Sequence, residues 1–172
     1  WGYTSIYYDF LGLFNWMENR GITHLADALD LFMPQPVDTT DRDTMLDGMA
    51  DRAWDMPMTR QMGGPSMSAA WIEDVLWAVR ELDAEAVIYC GHHACKQTWS
   101  VVSILRQELM KQAGIPLLIL QTDAWNKSMT PIGVVQRQIA EFVDQVVAPQ
   151  RGGETTRRRR RRPADSSSTS ST

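Results

Sequence analysis

The stretch that decides the fold class is Ala86-Val87-Ile88-Tyr89-Cys90-Gly91-His92-His93-Ala94-Cys95-Lys96-Gln97-Thr98-Trp99. A short apolar run that stops at a polar loop and continues into a helical pattern predicts a buried strand, a turn and a helix. Both cysteines of the chain and two of its three histidines lie within this stretch. Because ligands of open α/β sheets gather at the carboxyl ends of strands, the loop is the first candidate for a functional site.

The segments on either side continue the alternation of helix and strand. Residues 68–82 predict a helix before the strand, and residues 96–112 predict one after it. A second buried strand is expected at 116–121 and a closing helix at 132–147. Short, uniformly apolar strands separated by helices are typical of parallel sheets covered on both faces. We therefore expect an α/β fold with a Rossmann-like (flavodoxin-like) parallel sheet flanked by helices. The expected buried positions of the two central helices are Trp71, Ile72, Val75, Leu76, Val79, Val101, Val102, Ile104, Leu105 and Leu109.

The ends of the chain differ from this central part. Residues 1–65 predict a helical segment that completes or precedes the domain, with helices at 7–20, 24–32 and 41–55. The α/β domain itself is expected to span residues 66–149. Residues 150–172 contain six consecutive arginines followed by Ser/Thr repeats, which predict a disordered tail. An alternative for this tail is a tether to RNA or to an anionic surface.

Length and charge exclude several classes of protein. A chain of 172 residues with 44% hydrophobic residues can form one domain with a core, and it has no apolar run of about 18 residues to cross a membrane. Residues 151–172 contain seven arginines, Glu154 and Asp165, which gives this segment a charge of +5. Because the whole chain has a net charge of −4, residues 1–150 have a charge of −9. Nucleic acid is therefore an unfavourable partner for the acidic body. Two cysteines make no disulfide framework, which favours the reducing cytoplasm.

The residue types in the loop favour metal or redox chemistry. Cys95 precedes a predicted helix and Lys96, where the helix dipole and backbone amides stabilise a thiolate ligand for iron–sulfur or zinc. Cys90 ends a buried strand, where a free cysteine acts as a small hydrophobe. His93 is a candidate to face a substrate. Asp123, just after the second strand, is either a site carboxylate or a capping residue.

These motifs, taken together, resemble one family. They are Cys95-Lys96 in a polar loop, Gly114-Ile115-Pro116-Leu117-Leu118-Ile119-Leu120, Asp123, and the closing Gln136-Arg137-Gln138-Ile139-Ala140-Glu141-Phe142. Over residues 66–147 they are similar to the C-terminal domain of the 2-hydroxyacyl-CoA dehydratase and benzoyl-CoA reductase family, in the cluster-binding, D-component type of subunit.

The resemblance implies a fold, a cofactor and partners. Subunits of the family have two Rossmann-like domains that hold a [4Fe-4S] cluster with three cysteines, and the last of these matches Cys95. They work with a homologous second subunit and an ATP-dependent activator iron–sulfur protein. Together they drive one electron into a CoA thioester substrate, for dehydration of a 2-hydroxyacyl-CoA or reduction of an aromatic acyl-CoA. From its place beside Cys95, His93 is the expected catalytic residue, and the expected substrate-lining residues are His92, Lys96, Gln97 and Asp123.

The chain also departs from the family pattern, which leaves alternatives open. It has no cysteine besides Cys90 and Cys95, so the remaining cluster ligands are absent and the chain alone is expected to be inactive. Because it begins at Trp1, we expect it to be part of a longer protein. One alternative is a non-catalytic flavodoxin-like partner or assembly domain without a cluster. Another is a small zinc-binding domain, although four ligands within six residues would strain the loop.

Overall fold

A computed structural model describes residues 1–2, 10–31, 35–63 and 67–151 of the chain. Within these residues the alternation of helix and strand predicted from residue 68 onward is confirmed. The predicted disordered tail lies outside the described residues from 152 onward. The elements in chain order are α1 (Phe10–Glu18), α2 (Arg42–Asp55), α3 (Pro57–Gly63), α4 (Met67–Glu81), β1 (Val87–His92), α5 (Lys96–Ala113), β2 (Leu117–Thr122) and α6 (Ile132–Phe142), which continues into a π-helical turn (Val143–Val147).

The two strands form a parallel pair flanked by helices. Their register runs from Val87 opposite Leu117 to His92 opposite Thr122. Both strands therefore end at the same edge of the sheet, and the loops that follow them are neighbours. The coarse expectation of a mixed α/β chain with a parallel sheet is confirmed, and the described sheet has two strands.

Side chains of β1 alternate between two apolar layers, because successive residues of a strand point to opposite faces. Val87 and Tyr89 pack with α4 and α5, whereas Ile88 and Cys90 pack with α1 and α6. All five predicted core positions of α4 are buried, as are four of the five in α5. Ile104 is the exception, with 46% of its surface exposed. The buried stripe of α5 is Thr98, Val101, Val102, Leu105 and Leu109, and Ile104 lies about 100° around the helix from Leu105.

The predicted helix at 24–32 is wrong for its described part, because residues 22–27 have no helical structure and a turn follows at 28–30. Long-range backbone hydrogen bonds hold this segment. The N–H of Ala28 donates to the carbonyl of Trp1 (2.8 Å), and the nitrogen of Trp1 donates to the carbonyl of Ala26. The Asp27 side chain accepts the N–H of Leu29 (2.9 Å), as Asp does in turns.

The chain start lies beside β1 on the edge away from β2. The N–H of Gly2 donates to the carbonyl of Ile88 (2.9 Å), and the indole of Trp71 donates to the carbonyl of Gly2 (2.8 Å). A Cβ at Gly2 would come within 2.9 Å of a Val87 methyl, so only glycine allows this approach without a shift.

Helices α2 and α3 precede α4 in the chain and differ in burial. The predicted helix at 41–55 is confirmed as α2, capped by Asp41, but it buries none of its residues. Helix α3 was not predicted from the sequence. Its Gln61 is buried and donates to the carbonyl of Ala28 (3.1 Å) and to Asp74 (2.9 Å). Among the described residues, no helix has the length and apolar character needed to cross a membrane.

Candidate site at the carboxyl ends of the parallel strands

The loops after β1 and β2 are joined directly. The N–H of His93 donates to the carbonyl of Thr122 (2.9 Å), which continues the ladder one residue beyond β1. The loop 93–95 and the loop that begins at Asp123 therefore share one edge of the sheet. Because ligands of parallel sheets bind at this edge, the two neighbouring loops form the candidate site.

Cys95 is the N-cap residue of α5, as the sequence predicted, and its thiol makes no capping hydrogen bond. Its N–H donates to the carbonyl of His92 (3.1 Å), which fixes the turn between strand and helix. The residue is half-buried, while Lys96 and Gln97 in the first turn of the helix are exposed. Cys95 therefore presents a thiol at the rim of the loop, with two polar side chains beside it.

Cys90 has a different environment. It is fully buried, and its Sγ lies 3.5 Å from the Thr122 hydroxyl oxygen. It packs among the apolar side chains between β1 and α6, including Leu120 and Val135. The expectation that Cys90 is a buried core residue is confirmed.

His92 is the imidazole whose orientation the structure fixes. Its Nδ1 accepts the N–H of Ala94 (3.2 Å), so a neutral ring carries its proton on Nε2. That Nε2 lies 3.5 Å from Oδ2 of Asp123. The edge of the ring contacts Trp125, with ring centroids 5.0 Å apart at an interplanar angle of 70°. The two loops thus form a histidine–carboxylate pair across the strand ends.

Asp123 is anchored by the backbone of its own loop. One carboxylate oxygen accepts the N–H groups of Asn126 (2.7 Å) and Trp125 (3.0 Å). The hydrogen bond from Asn126 is the main cause that lowers the pKa of Asp123, followed by the one from Trp125, with smaller effects of His92 and His93. Asp123 is therefore ionised at neutral pH and offers its other oxygen to His92. The structure shows Asp123 as the turn residue, and its role as a site carboxylate stays a prediction.

Two aromatic residues of the site were not predicted. The indole of Trp99 donates to the carbonyl of His92 (2.8 Å) and so holds the end of β1 against the start of α5. Trp125 is 78% exposed next to His92. The exposed position of His93 puts it on the outer side of the loop. In the sequence, the one indication of Trp125 was its place two residues after Asp123, which follows the second predicted strand.

A protein-family model matches most of the chain. The family described as 2-hydroxyglutaryl-CoA dehydratase, D-component, matches residues 1–146. The chain belongs to this family. No curated protein and no solved structure matches the chain.

The described residues of this D-component chain fit one ligand of an iron–sulfur cluster and not a complete set. A [4Fe-4S] cluster is held by several thiolates, and Cys95 is the one cysteine outside the core. In the part of the chain that the structure describes, no three His, Cys, Asp or Glu side chains form a group that could hold a metal ion. A cluster bound here would need ligands from outside this sequence.

Proposed function

We propose that this chain is the Cys95-bearing part of a D-component subunit in an enzyme that makes one-electron reductions of CoA thioesters. The reaction class is dehydration of a 2-hydroxyacyl-CoA, with reduction of an aromatic acyl-CoA as the related chemistry. The observation that carries the proposal is the position of Cys95 at the start of α5, beside the His92–Asp123 pair. Its thiol is half-buried and makes no capping hydrogen bond. The family match over residues 1–146 supports the subunit type.

Cys95 is the proposed cluster ligand of this chain. Its position before α5 directs the backbone N–H groups of the first helical turn toward the thiolate, which stabilises negative charge there. A bound [4Fe-4S] cluster supplies single electrons at low potential. The other ligands come from polypeptide outside this sequence. The remaining partners are a homologous second subunit and an ATP-dependent activator iron–sulfur protein.

The polar residues around Cys95 bind and orient the substrate in this proposal. Lys96 and Gln97 are exposed in the first turn of α5, where they can contact the acyl thioester. The hydrogen bond from Ala94 to Nδ1 leaves the proton of a neutral His92 ring on Nε2, and Oδ2 of Asp123 lies 3.5 Å from that nitrogen. The sequence favoured His93 as the catalytic residue, and the variants described below test His92 against it. The fixed ring and defined tautomer make His92 the better candidate for moving a proton to or from the substrate.

The sheet is the proposed core of a Rossmann-like domain that spans residues 66–149. The support is the order of the elements from α4 to α6, with helices on both faces of β1 and β2. In this arrangement the cluster ligand and the substrate-lining residues share the carboxyl edge of the sheet.

The decisive experiment compares two cysteine variants in the full-length subunit, co-expressed anaerobically with its neighbouring subunit. We expect Cys95→Ser to lose most of the iron and acid-labile sulfide, and Cys90→Ser to keep about four iron atoms per subunit. The Cys90 variant is the matched control, because it removes the chain's other thiol at a buried position. Thermal melting of both variants checks that each is folded.

Equal iron content in the two variants would contradict the role of Cys95. Wild-type protein that is folded but free of iron would favour the alternative, a flavodoxin-like partner or assembly domain in which Cys95 is an ordinary thiol. Stoichiometric zinc in place of iron, with folding that depends on the metal, would favour the zinc-binding domain.

A second prediction concerns the proton on His92. In the same complex, His92→Gln is expected to lower kcat by about 10²–10⁴-fold, the usual contribution of a positioned acid–base group. His93→Gln, which changes the neighbouring exposed imidazole, is the matched control and should change kcat little. A larger loss of kcat in His93→Gln than in His92→Gln would assign the catalytic role to His93.

A further inference from the structure

A cavity of about 440 Å³ lies beside the amino end of β1, on the edge away from β2. One wall is residues 82–88, and the opposite wall is the segment 21–26. Helix α4 lines one face through Val75, Ala78 and Val79, and the end of α6 with its π-helical turn lines the other. The cavity is thus bordered by chain on two sides and by helices above and below. In an α/β protein this is the position of a central strand.

The backbone at the end of this cavity has the hydrogen bonds of such a strand. Gly2 donates its N–H to Ile88 of β1. Trp1, one residue earlier, bonds to the segment on its other side. Its nitrogen donates to the carbonyl of Ala26, and its carbonyl accepts the N–H of Ala28. In parallel sheets, successive residues of an inner strand bond alternately to the strands on its two sides. Trp1 and Gly2 therefore lie between two neighbours in parallel register.

The same alternation along β1 indicates which groups face the cavity. The N–H of Val87 donates to the carbonyl of Pro116 (3.0 Å), so odd-numbered residues of β1 bond toward β2. The N–H of Ile88 points to the opposite edge, next to the cavity. In the register set by Gly2, this N–H is placed to donate to the carbonyl of a residue joined to the nitrogen of Trp1.

We propose that the cavity receives an extended apolar segment joined by a peptide bond to Trp1, which forms an inner strand parallel to β1. About four residues would lie beside residues 84–87, at about 3.3 Å per residue. Trp1 lines the cavity at the end toward which a strand parallel to β1 runs. A segment in this register must therefore end at the nitrogen of Trp1. Because helices cover both faces, its side chains are expected to be apolar on both. This inference concerns the sheet and does not depend on the proposed function.

Two N-terminal extensions of residues 1–172 test the proposal. One is Ser-Val-Leu-Val-Val, and its matched control is Gly-Ser-Gly-Ser-Gly. The apolar extension is expected to slow amide exchange at Ile88 by about tenfold or more relative to the control, because opening would then require loss of a buried strand. Val87, already bonded to Pro116, is the internal reference and should change less. The melting temperature is expected to rise by several degrees.

A cavity-filling substitution makes the test specific. Ala78→Phe places a ring in the cavity and should abolish the slowing at Ile88, whereas Ala69→Phe on the exposed face of the same helix should leave it intact. Equal exchange at Ile88 with the apolar and the Gly/Ser extension, in protein shown to be folded by circular dichroism, would overturn the proposal. Protection produced by the free apolar peptide, and not by the extension, would also overturn it, because the occupant would then be a separate polypeptide.

Discussion

Gly91 is a residue on which the geometry of the site depends. A Cβ at this position would overlap the ring of Tyr89, which is fully buried. That ring has little freedom to move, since its hydroxyl donates to Thr98 (2.7 Å) and its edge packs on Trp99 with centroids 5.1 Å apart. Glycine at the end of β1 therefore allows Tyr89 to fill the core directly beneath the His92 loop.

We expect Gly91→Ala to lower the free energy of unfolding by about 1–3 kcal/mol, because the added methyl overpacks a rigid site. The matched control is Gly133→Ala in α6, where an added Cβ meets no atom within 4 Å. That substitution should stabilise the helix by up to about 1 kcal/mol. Urea denaturation of both variants measures the difference, and equal stability would show that Tyr89 can move.

Asp27 is the buried carboxyl whose ionisation opposes folding. Burial is the main cause that raises its pKa from the ordinary 3.8 to about 6. Between these values the folded chain binds more protons than the unfolded chain, so the contribution of Asp27 to stability falls as the pH rises through this window. Above about pH 6 the full cost of the buried charge is present.

Asp27→Asn removes this cost and keeps an oxygen to accept the N–H of Leu29. The free energy of unfolding of Asp27→Asn relative to that of the wild type is expected to rise by on the order of 2 kcal/mol between acid and neutral pH. Chemical denaturation at about pH 4 and pH 8 measures it. A difference independent of pH would mean that Asp27 titrates normally. Asp30, exposed in the same turn, provides Asp30→Asn as the control.

At the scale of elements, α2 shows how a helix can exist without a core contact. It buries none of its 14 residues, and isolated helices of about this length are marginal in water. Its first turn is held by Asp41, which accepts the N–H groups of Asp43 (2.7 Å) and Thr44 (3.1 Å). The hydrogen bond from Thr44 is also the main cause that lowers the pKa of Asp41. The cap is therefore present at neutral pH and is lost as the pH falls through that lowered value.

Asp41→Ala is expected to speed amide exchange throughout α2 and to reduce helix content, while the melting temperature of the core changes little. Asp38→Ala is the matched control, because Asp38 accepts the N–H of Thr40, before the helix begins. Exchange in α2 that is unaffected by loss of Asp41 would show that contacts with another element stabilise this helix.

The elements predicted correctly are those with a regular apolar period. The stripe of α4 and the apolar runs of β1 and β2 depend on local spacing, so they are readable from the sequence. Residues 24–31 were wrongly predicted to be helical because their partners, Trp1 above all, are distant in the chain. Helix α3 was missed for the same reason, since Gln61 bonds to Ala28 and Asp74. Of the site, the position of Cys95 was predictable from the start of α5. The contact of His92 with Asp123, on which the proposed choice of His92 over His93 rests, was not predictable, because Asp123 lies in another loop.

At the scale of the whole molecule, the charge is divided between two parts of the chain. Residues 152–172 contain six arginines, Glu154 and Asp165, which gives this segment a charge of +4. Because the whole chain has a net charge of −4, residues 1–151 have a charge of −8. Residue 151 is the last that the structure describes, and Arg151 pairs with Glu85, next to β1. A chain ended after residue 151 therefore keeps this ion pair and the buried Val147.

We expect removal of residues 152–172 to leave the melting temperature nearly unchanged, because this segment contains no Val, Ile, Leu, Met, Phe, Tyr or Trp to bury. Truncation after Gln145 is the contrasting variant. It removes Val147 and Arg151 and is expected to lower the free energy of unfolding by about 2 kcal/mol or more, mainly through the lost apolar burial. Calorimetry of the three chains, at low and at moderate salt, separates apolar burial from charge. A large loss of stability on removing 152–172 at low salt alone would mean that the arginines neutralise the acidic body, since salt screens such attraction.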